Sequence, residues 1–182
     1  MIVGGAERAV AGVEGRIAGY ASLFGAIDLS GDRVLPGAFL ASLRRRGTAG
    51  IRMLWQHDPA RPIGVWTKLT ETATGLFAEG RLALDTAGGR EAFELIRAGA
   101  VDGLSIGFRT KTARRGSAGA KRLLEEIDLW EISVVTFPMQ ESARLSETRG
   151  GMAAVAAGAA LAARIEAAAR WLAAPSRASI AT

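Results

Sequence analysis

The stretch LLEEIDLWEISVVTFP, Leu123 to Pro138, decides how this chain is read. From Leu123 to Phe137 it has the character of one long strand, and Pro138 terminates it. Glu131 lies inside Leu129-Trp130-Glu131-Ile132-Ser133-Val134-Val135, where every neighbour suggests burial. A buried carboxylate is costly unless it is paired or hydrogen-bonded, so Glu131 needs a partner. An arginine would make it a structural ion pair. An imidazolium formed during acyl transfer would make it part of a triad. Glu126 and Asp128, on the same strand, compete for that second role.

The segment before it is Gly103 to Thr112, also a strand, and the basic turn Arg114 to Gly119 joins the two into a hairpin. With the loop centred on Ala118, Ser105 falls directly across from Glu131. Opposed residues of a hairpin share a face. A slip of one residue would put them on opposite faces.

Further out, Arg16 to Phe24, Ile51 to Gln56, Gly64 to Leu69 and Leu76 to Leu84 read as strands, the last two separated by a turn at Thr74-Gly75. Pro59 is expected to stop the strand that runs into His57-Asp58. Gly25 to Gly37, with Asp28, Ser30, Gly31, Asp32 and Pro36, reads as a loop. Ala38 to Arg46 and Ala87 to Ala98 read as helices. The second buries Phe93, Ile96 and Leu95 and stops at Gly99. The fold class is therefore mainly β with helices (α+β), built on a partly closed antiparallel sheet or barrel.

Three parts are expected: an N-terminal arm over 1–15, a core domain over 16–148, and an alanine-rich tail over 149–182 set off by Gly150-Gly151. In the tail Leu161, Ile165, Ala168 and Leu172 fall on one helical stripe, and Pro175 ends it. It reads either as a helix packed on the barrel or as a detachable helix for a partner. The N-terminus lacks the apolar core of a signal peptide. No segment reaches the ~18 uninterrupted apolar residues of a membrane span, so no membrane association is expected.

His57 is the only histidine, and there is no cysteine. Thiol nucleophiles, disulfides and multi-histidine metal sites are thereby excluded, and no cofactor or metal is expected. A hydrolase with this composition is most simply a serine or threonine enzyme with His57 as base. Gly103-Leu104-Ser105-Ile106-Gly107 fits G-x-S-x-G, but Phe108 to Thr112 continue as strand and no histidine follows. The strand-to-helix elbow of the α/β-hydrolases is therefore not expected. Ser105 projects from a strand, either as an ordinary serine between glycines or as a nucleophile with space beside it for a substrate strand or an oxyanion. His57 alone reads as a strand-end histidine, with Asp58 turning away toward Pro59.

Four blocks, in order, carry a resemblance. They are Gly31-Asp32-Arg33-Val34-Leu35-Pro36-Gly37-Ala38-Phe39, Trp55-Gln56-His57, Gly103-Leu104-Ser105-Ile106-Gly107-Phe108 and Trp130-Glu131-Ile132-Ser133-Val134-Val135-Thr136-Phe137-Pro138. The sequence from Arg16 to Leu145 resembles the prohead (capsid-maturation) serine proteases of tailed phages, which also occur in phage-like gene transfer agents. The resemblance implies a herpesvirus-assemblin-like β-barrel with surrounding helices. It also implies a triad in the order His57, Ser105, Glu131. It further implies that the chain cleaves scaffold segments and the N-terminal region of the major capsid protein, and often itself, in the cytoplasm inside the assembling prohead. Homodimerisation or other self-association stays open. In this reading Ser105 attacks, His57 shuttles the proton, Glu131 orients His57, and backbone N–H groups, with Arg109 as a side-chain candidate, hold the oxyanion.

The competing readings are a non-catalytic capsid or scaffold component of the same fold, an esterase, and a nucleic-acid-binding module. The chain is basic, with 23 Lys and Arg against 18 Asp and Glu. Its clusters, Arg44-Arg45-Arg46 and Arg114-Arg115 to Arg122, have no interleaved aromatic residues to stack bases, so nucleic acid is not the expected partner.

Overall fold

The structure, a computed structural model, describes residues 15–146. The expected arm over 1–15, apart from Gly15, and the expected tail over 149–182 lie outside the described residues. In chain order the elements are β1 (Arg16–Leu23), β2 (Asp32–Val34), α1 (Leu40–Arg46), β3 (Arg52–Trp55), β4 (Asp58–Glu71), β5 (Gly75–Leu82), α2 (Ala87–Arg97), β6 (Gly103–Arg115), β7 (Arg122–Val135) and β8 (Leu145–Ser146). Among the described residues the protein is mostly β with two helices, in line with the sequence. The strands form one sheet in the order β2-β7-β3-β4-β5-β1-β8, with β6 on the other edge of β7.

The sheet is antiparallel except where β7 runs parallel to β2 and to β3. Two departures from the sequence reading follow. The expected loop Gly25 to Gly37 contains β2, which pairs Asp32, Arg33 and Val34 with Arg122, Leu123 and Leu124. That pairing is pinned by an ion pair between the buried Asp32 and the exposed Arg122. Arg122 Nε donates to Asp32 Oδ1 at 2.8 Å, and this hydrogen bond holds the Asp32 carboxyl below its usual range. Pro59 does not stop a strand. The chain turns at Gln56-His57, and β4 begins at Asp58 and runs through Pro59 and Pro62. Both prolines precede Gly64, where pairing with β5 starts, so they sit on the one-sided stretch of β4, where a missing N–H is tolerated.

β1 and β6 lie at opposite ends of the ladder, and the segment Ala143–Ser146 spans the gap. Leu145 and Ser146 pair with Gly19 and Ala18 of β1. On its other side, Leu104 N–H donates to Ala143 O at 2.9 Å and Leu145 N–H to Asp102 O at 2.7 Å. Gly19 is required there, because a Cβ would overlap the Arg144 carbonyl.

The core holds Ile17, Met53, Ile63, Leu76, Leu104, Leu124, Ile127, Leu129, Ile132 and Val134, all fully buried. Helix α2 covers it with Ala92 and Ile96, while Phe93 and Leu95 pack at its margin. Thr86 Oγ1 caps α2 by accepting from Gly89 N–H at 3.0 Å, and Gly99, at φ 72°, ends it. Near the start of α1, Glu71 of β4 accepts from the Gly37 and Phe39 N–H groups at 2.5 and 3.1 Å. α1 thus rests against the sheet with its last turn, Arg44 to Arg46, toward β7.

Candidate active site

His57 sits at the tip of the β3–β4 hairpin. Trp55 pairs with Asp58, so Gln56 and His57 form a two-residue turn, with φ of 54° and 61°. Positive φ at both central residues is the geometry of the mirror-image hairpin turns, normally filled by Asn and Gly. Holding non-glycine residues there costs roughly 1–3 kcal/mol each and needs support from the surroundings. β7 supplies that support. Gln56 N–H donates to Val134 O at 3.0 Å. The Gln56 amide bonds Thr136 through Nε2 to Oγ1 at 2.8 Å and accepts the Thr136 N–H at 3.2 Å. His57 N–H donates to Ser133 Oγ at 3.2 Å.

The imidazole meets Glu131. His57 Nδ1 lies 2.7 Å from Glu131 Oε1. An ionised carboxylate only accepts, so Nδ1 carries the hydrogen and the neutral ring keeps its lone pair on Nε2. The hydrogen bond to Glu131 raises the His57 pKa above its ordinary 6.5, against the opposing effect of partial burial. The other carboxylate oxygen, Oε2, accepts from the Ser133 hydroxyl at 2.5 Å. The bonds close a ring: His57 N–H donates to Ser133 Oγ, Ser133 O–H to Glu131 Oε2, and His57 Nδ1–H to Glu131 Oε1. Glu131 is therefore held by His57 and Ser133, and the arginine ion pair weighed from sequence is not its arrangement.

Ser105 is buried on β6 and pairs with Ser133, while Gly107 pairs with Glu131. The expected register is off by two residues, for two separate reasons. The hairpin closes with Arg115 opposite Arg122, so the turn centres between Ala118 and Gly119, which moves the partner of Ser105 from residue 131 to residue 132. Then Phe108 pairs with Leu129 and Gly107 with Glu131, so Trp130 is a bulge with no partner, which moves it on to Ser133. The two steps sum to an even number, so Ser105, Ser133, Gly107 and Glu131 still share a face. The structure thus joins His57 to Glu131 directly and sets Ser105 across from Ser133, the residue that touches them both.

The rival acids are otherwise placed. Asp128 accepts from Arg46 Nε at 2.8 Å and from Arg45 Nη2 at 2.5 Å, and these bonds hold its carboxyl far below the carboxylate range. Glu126 pairs across from Thr112, toward the hairpin tip. Arg109 is exposed, about 13 Å along β6 from Ser105 at ~3.3 Å per residue. Ser133 is the site residue that sequence reasoning missed. The available signal was its position two residues after Glu131, on the same strand face.

Ser105 also lines a cleft with Ala21, Ala26, Ile106, Phe108 and Met139. Beyond Leu104 this outer edge of β6 pairs with no strand among the described residues. Among those residues no cluster of three or more His, Asp or Glu could hold a metal ion, and no helix is long and apolar enough to cross a membrane.

The chain is similar to known proteins. The chain is 34% identical over 137 residues to the prohead protease of Enterobacteria phage HK97, a match spanning 74% of this chain and 60% of that protein. It is 33% identical over 89 residues to the prohead protease of Escherichia phage T5, spanning 49% of this chain and 41% of that protein. The chain therefore spans less than two thirds of the length of these relatives. The solved structure of the bacteriophage T4 capsid assembly protease shares the fold, at a TM-score of 0.51 and 14% identity over 66% of this chain and 80% of that one. The sequence profile of the caudovirus prohead serine proteases matches residues 6–157, and the chain belongs to that family.

Proposed function

We propose that this protein is the serine endopeptidase of capsid maturation, with Ser105 as nucleophile, His57 as base and Glu131 as the acid that orients it. The observation that carries this reading is the 2.7 Å contact between His57 Nδ1 and Glu131. It commits the imidazole to the tautomer a general base needs and offers a countercharge for the imidazolium. Ser105 Oγ attacks the scissile carbonyl, its proton passes to His57 Nε2, and His57 returns that proton to the leaving amine. The tetrahedral oxyanion is met by backbone N–H groups. Ser133 is not placed to pass its proton to His57 Nε2, because its hydroxyl donates to Glu131 and accepts the main-chain N–H of His57. The open edge of β6 beside Ser105 suits an extended peptide, which would add to the sheet as a strand.

The substrates in this reading are scaffold segments and the N-terminal region of the major capsid protein, with self-cleavage, all within the assembling prohead. The chain is to be co-expressed with the adjacent capsid gene and the masses of the capsid termini measured. Trimmed termini with wild type and full-length termini with Ser105→Ala support the proposal. Equal processing by both rejects Ser105 as nucleophile. Unprocessed capsid with wild type, together with no labelling of Ser105 by a serine-reactive phosphonate, points instead to a non-catalytic assembly component.

A further inference from the structure

Glu131 can fix the His57 ring only if its own carboxylate is fixed. Rotation about a terminal carboxylate torsion is soft, so one hydrogen bond from a half-exposed imidazole leaves its second oxygen undetermined. Ser133 settles that oxygen. Its hydroxyl donates to Glu131 Oε2 at 2.5 Å and accepts the main-chain N–H of His57 at 3.2 Å. Ser133 is fully buried, on a strand flanked by Ile132 and Val134 that are fully buried as well. The two contacts do different things. One sets the rotation of the carboxylate that holds the ring. The other ties down the positive-φ backbone from which the ring projects. The catalytic histidine is therefore located at both ends by a single hydroxyl.

We infer that Ser133 is a positioning residue of the peptidase, acting on His57 through both its main chain and Glu131. The inference rests on the triad proposed above, and Ser133 itself touches no reacting atom. Without the hydroxyl, the carboxylate turns away from Nδ1, the neutral ring samples both tautomers, and the raised His57 pKa relaxes toward its ordinary value. Loss of the outer hydrogen-bond partner of a metal-ligating histidine costs about 10- to 100-fold, and a loss of the same order is expected for a partner that orients a general base.

The test uses the full chain, with Ser133→Ala compared to wild type in two measurements. Peptide cleavage should show kcat reduced about 10- to 100-fold with KM changed less than about twofold. Nuclear magnetic resonance of labelled histidine reads only His57, since there is no other histidine. Its midpoint should fall toward 6.5, and its nitrogen shifts should move from one tautomer to a mixture. A variant with wild-type kcat and an unchanged His57 titration overturns the inference while leaving the peptidase reading intact. If wild type itself does not cleave, that reading fails, and the titration still decides whether Ser133 positions His57. Should Ser133→Ala not fold, Ser133→Cys, close in size and a much weaker donor and acceptor, is read the same way.

Discussion

Gly107 lies directly across the β6–β7 ladder from Glu131, and the carboxylate of Glu131 occupies the space that a side chain at residue 107 would fill. The second glycine of the Gly103-Leu104-Ser105-Ile106-Gly107 motif is thus explained by the acid on the neighbouring strand rather than by an elbow at the serine.

Gly107→Ala should inactivate without unfolding. Its Cβ would overlap Glu131 Oε1 and push the carboxylate off His57, the end of a side chain being easier to move than the strand. A loss of at least about 100-fold in kcat, with the folded circular-dichroism signal retained, is the expected outcome. Wild-type kcat would show that Glu131 need not stay where it is.

Glu131→Gln and Asp128→Asn should have opposite profiles. The first keeps size but loses the countercharge and lets the imidazole take the wrong tautomer, so kcat should fall by about three to four orders of magnitude. The second leaves His57 alone and removes the charge that Arg45 and Arg46 share, so kcat should stay within about threefold while Tm drops. Parallel kinetics and thermal melts check both. The Asp128 carboxyl is depressed in the folded state, so its stabilisation is present above pH ~4 and is lost as acid protonates it. Asp128→Asn should therefore narrow its Tm gap to wild type below that pH.

The acid limb of kcat/KM should be one ionisation with a midpoint above 6.5, because Glu131 raises the His57 pKa and catalysis needs the ring neutral. The same shift has a stability consequence of definite sign. A raised folded pKa stabilises fully below the unfolded value and loses that effect as pH rises through the folded value. The Tm difference between wild type and His57→Ala should thus shrink from pH 6 to pH 9.

Much of this was legible from residues. β7 was, because its apolar run ends at a proline, and Glu131 was, because a carboxylate within that run has few affordable explanations. The partner of Ser105 was not, since a bulge at Trp130 is a two-against-one choice that no local propensity announces. The turn at His57 was misread for a related reason. Pro59 stops a strand only if its missing N–H is needed, and whether β4 has a neighbour there is decided by strands elsewhere in the chain. The parallel pairing of β3 with β7 joins residue 52 to residue 131, a distance no periodicity reports.

A chain ending just after Ser146 should fold and cut a soluble peptide, whereas one ending before Ala143 should do neither. Circular dichroism and peptide assays on the two truncations decide this. An inactive or unfolded longer truncation would show that later residues belong to the barrel.

The bridge made by Ala143–Ser146 also orders events in time. Residues 16–23 leave the ribosome well before residue 146, yet β1 acquires this neighbour only after residue 146 has been made. Pairings of such high sequence separation are slow to form. Until then the strand bearing Ser105 lacks its stay at Leu104, so a half-made chain cannot hold the β6 edge in its finished form.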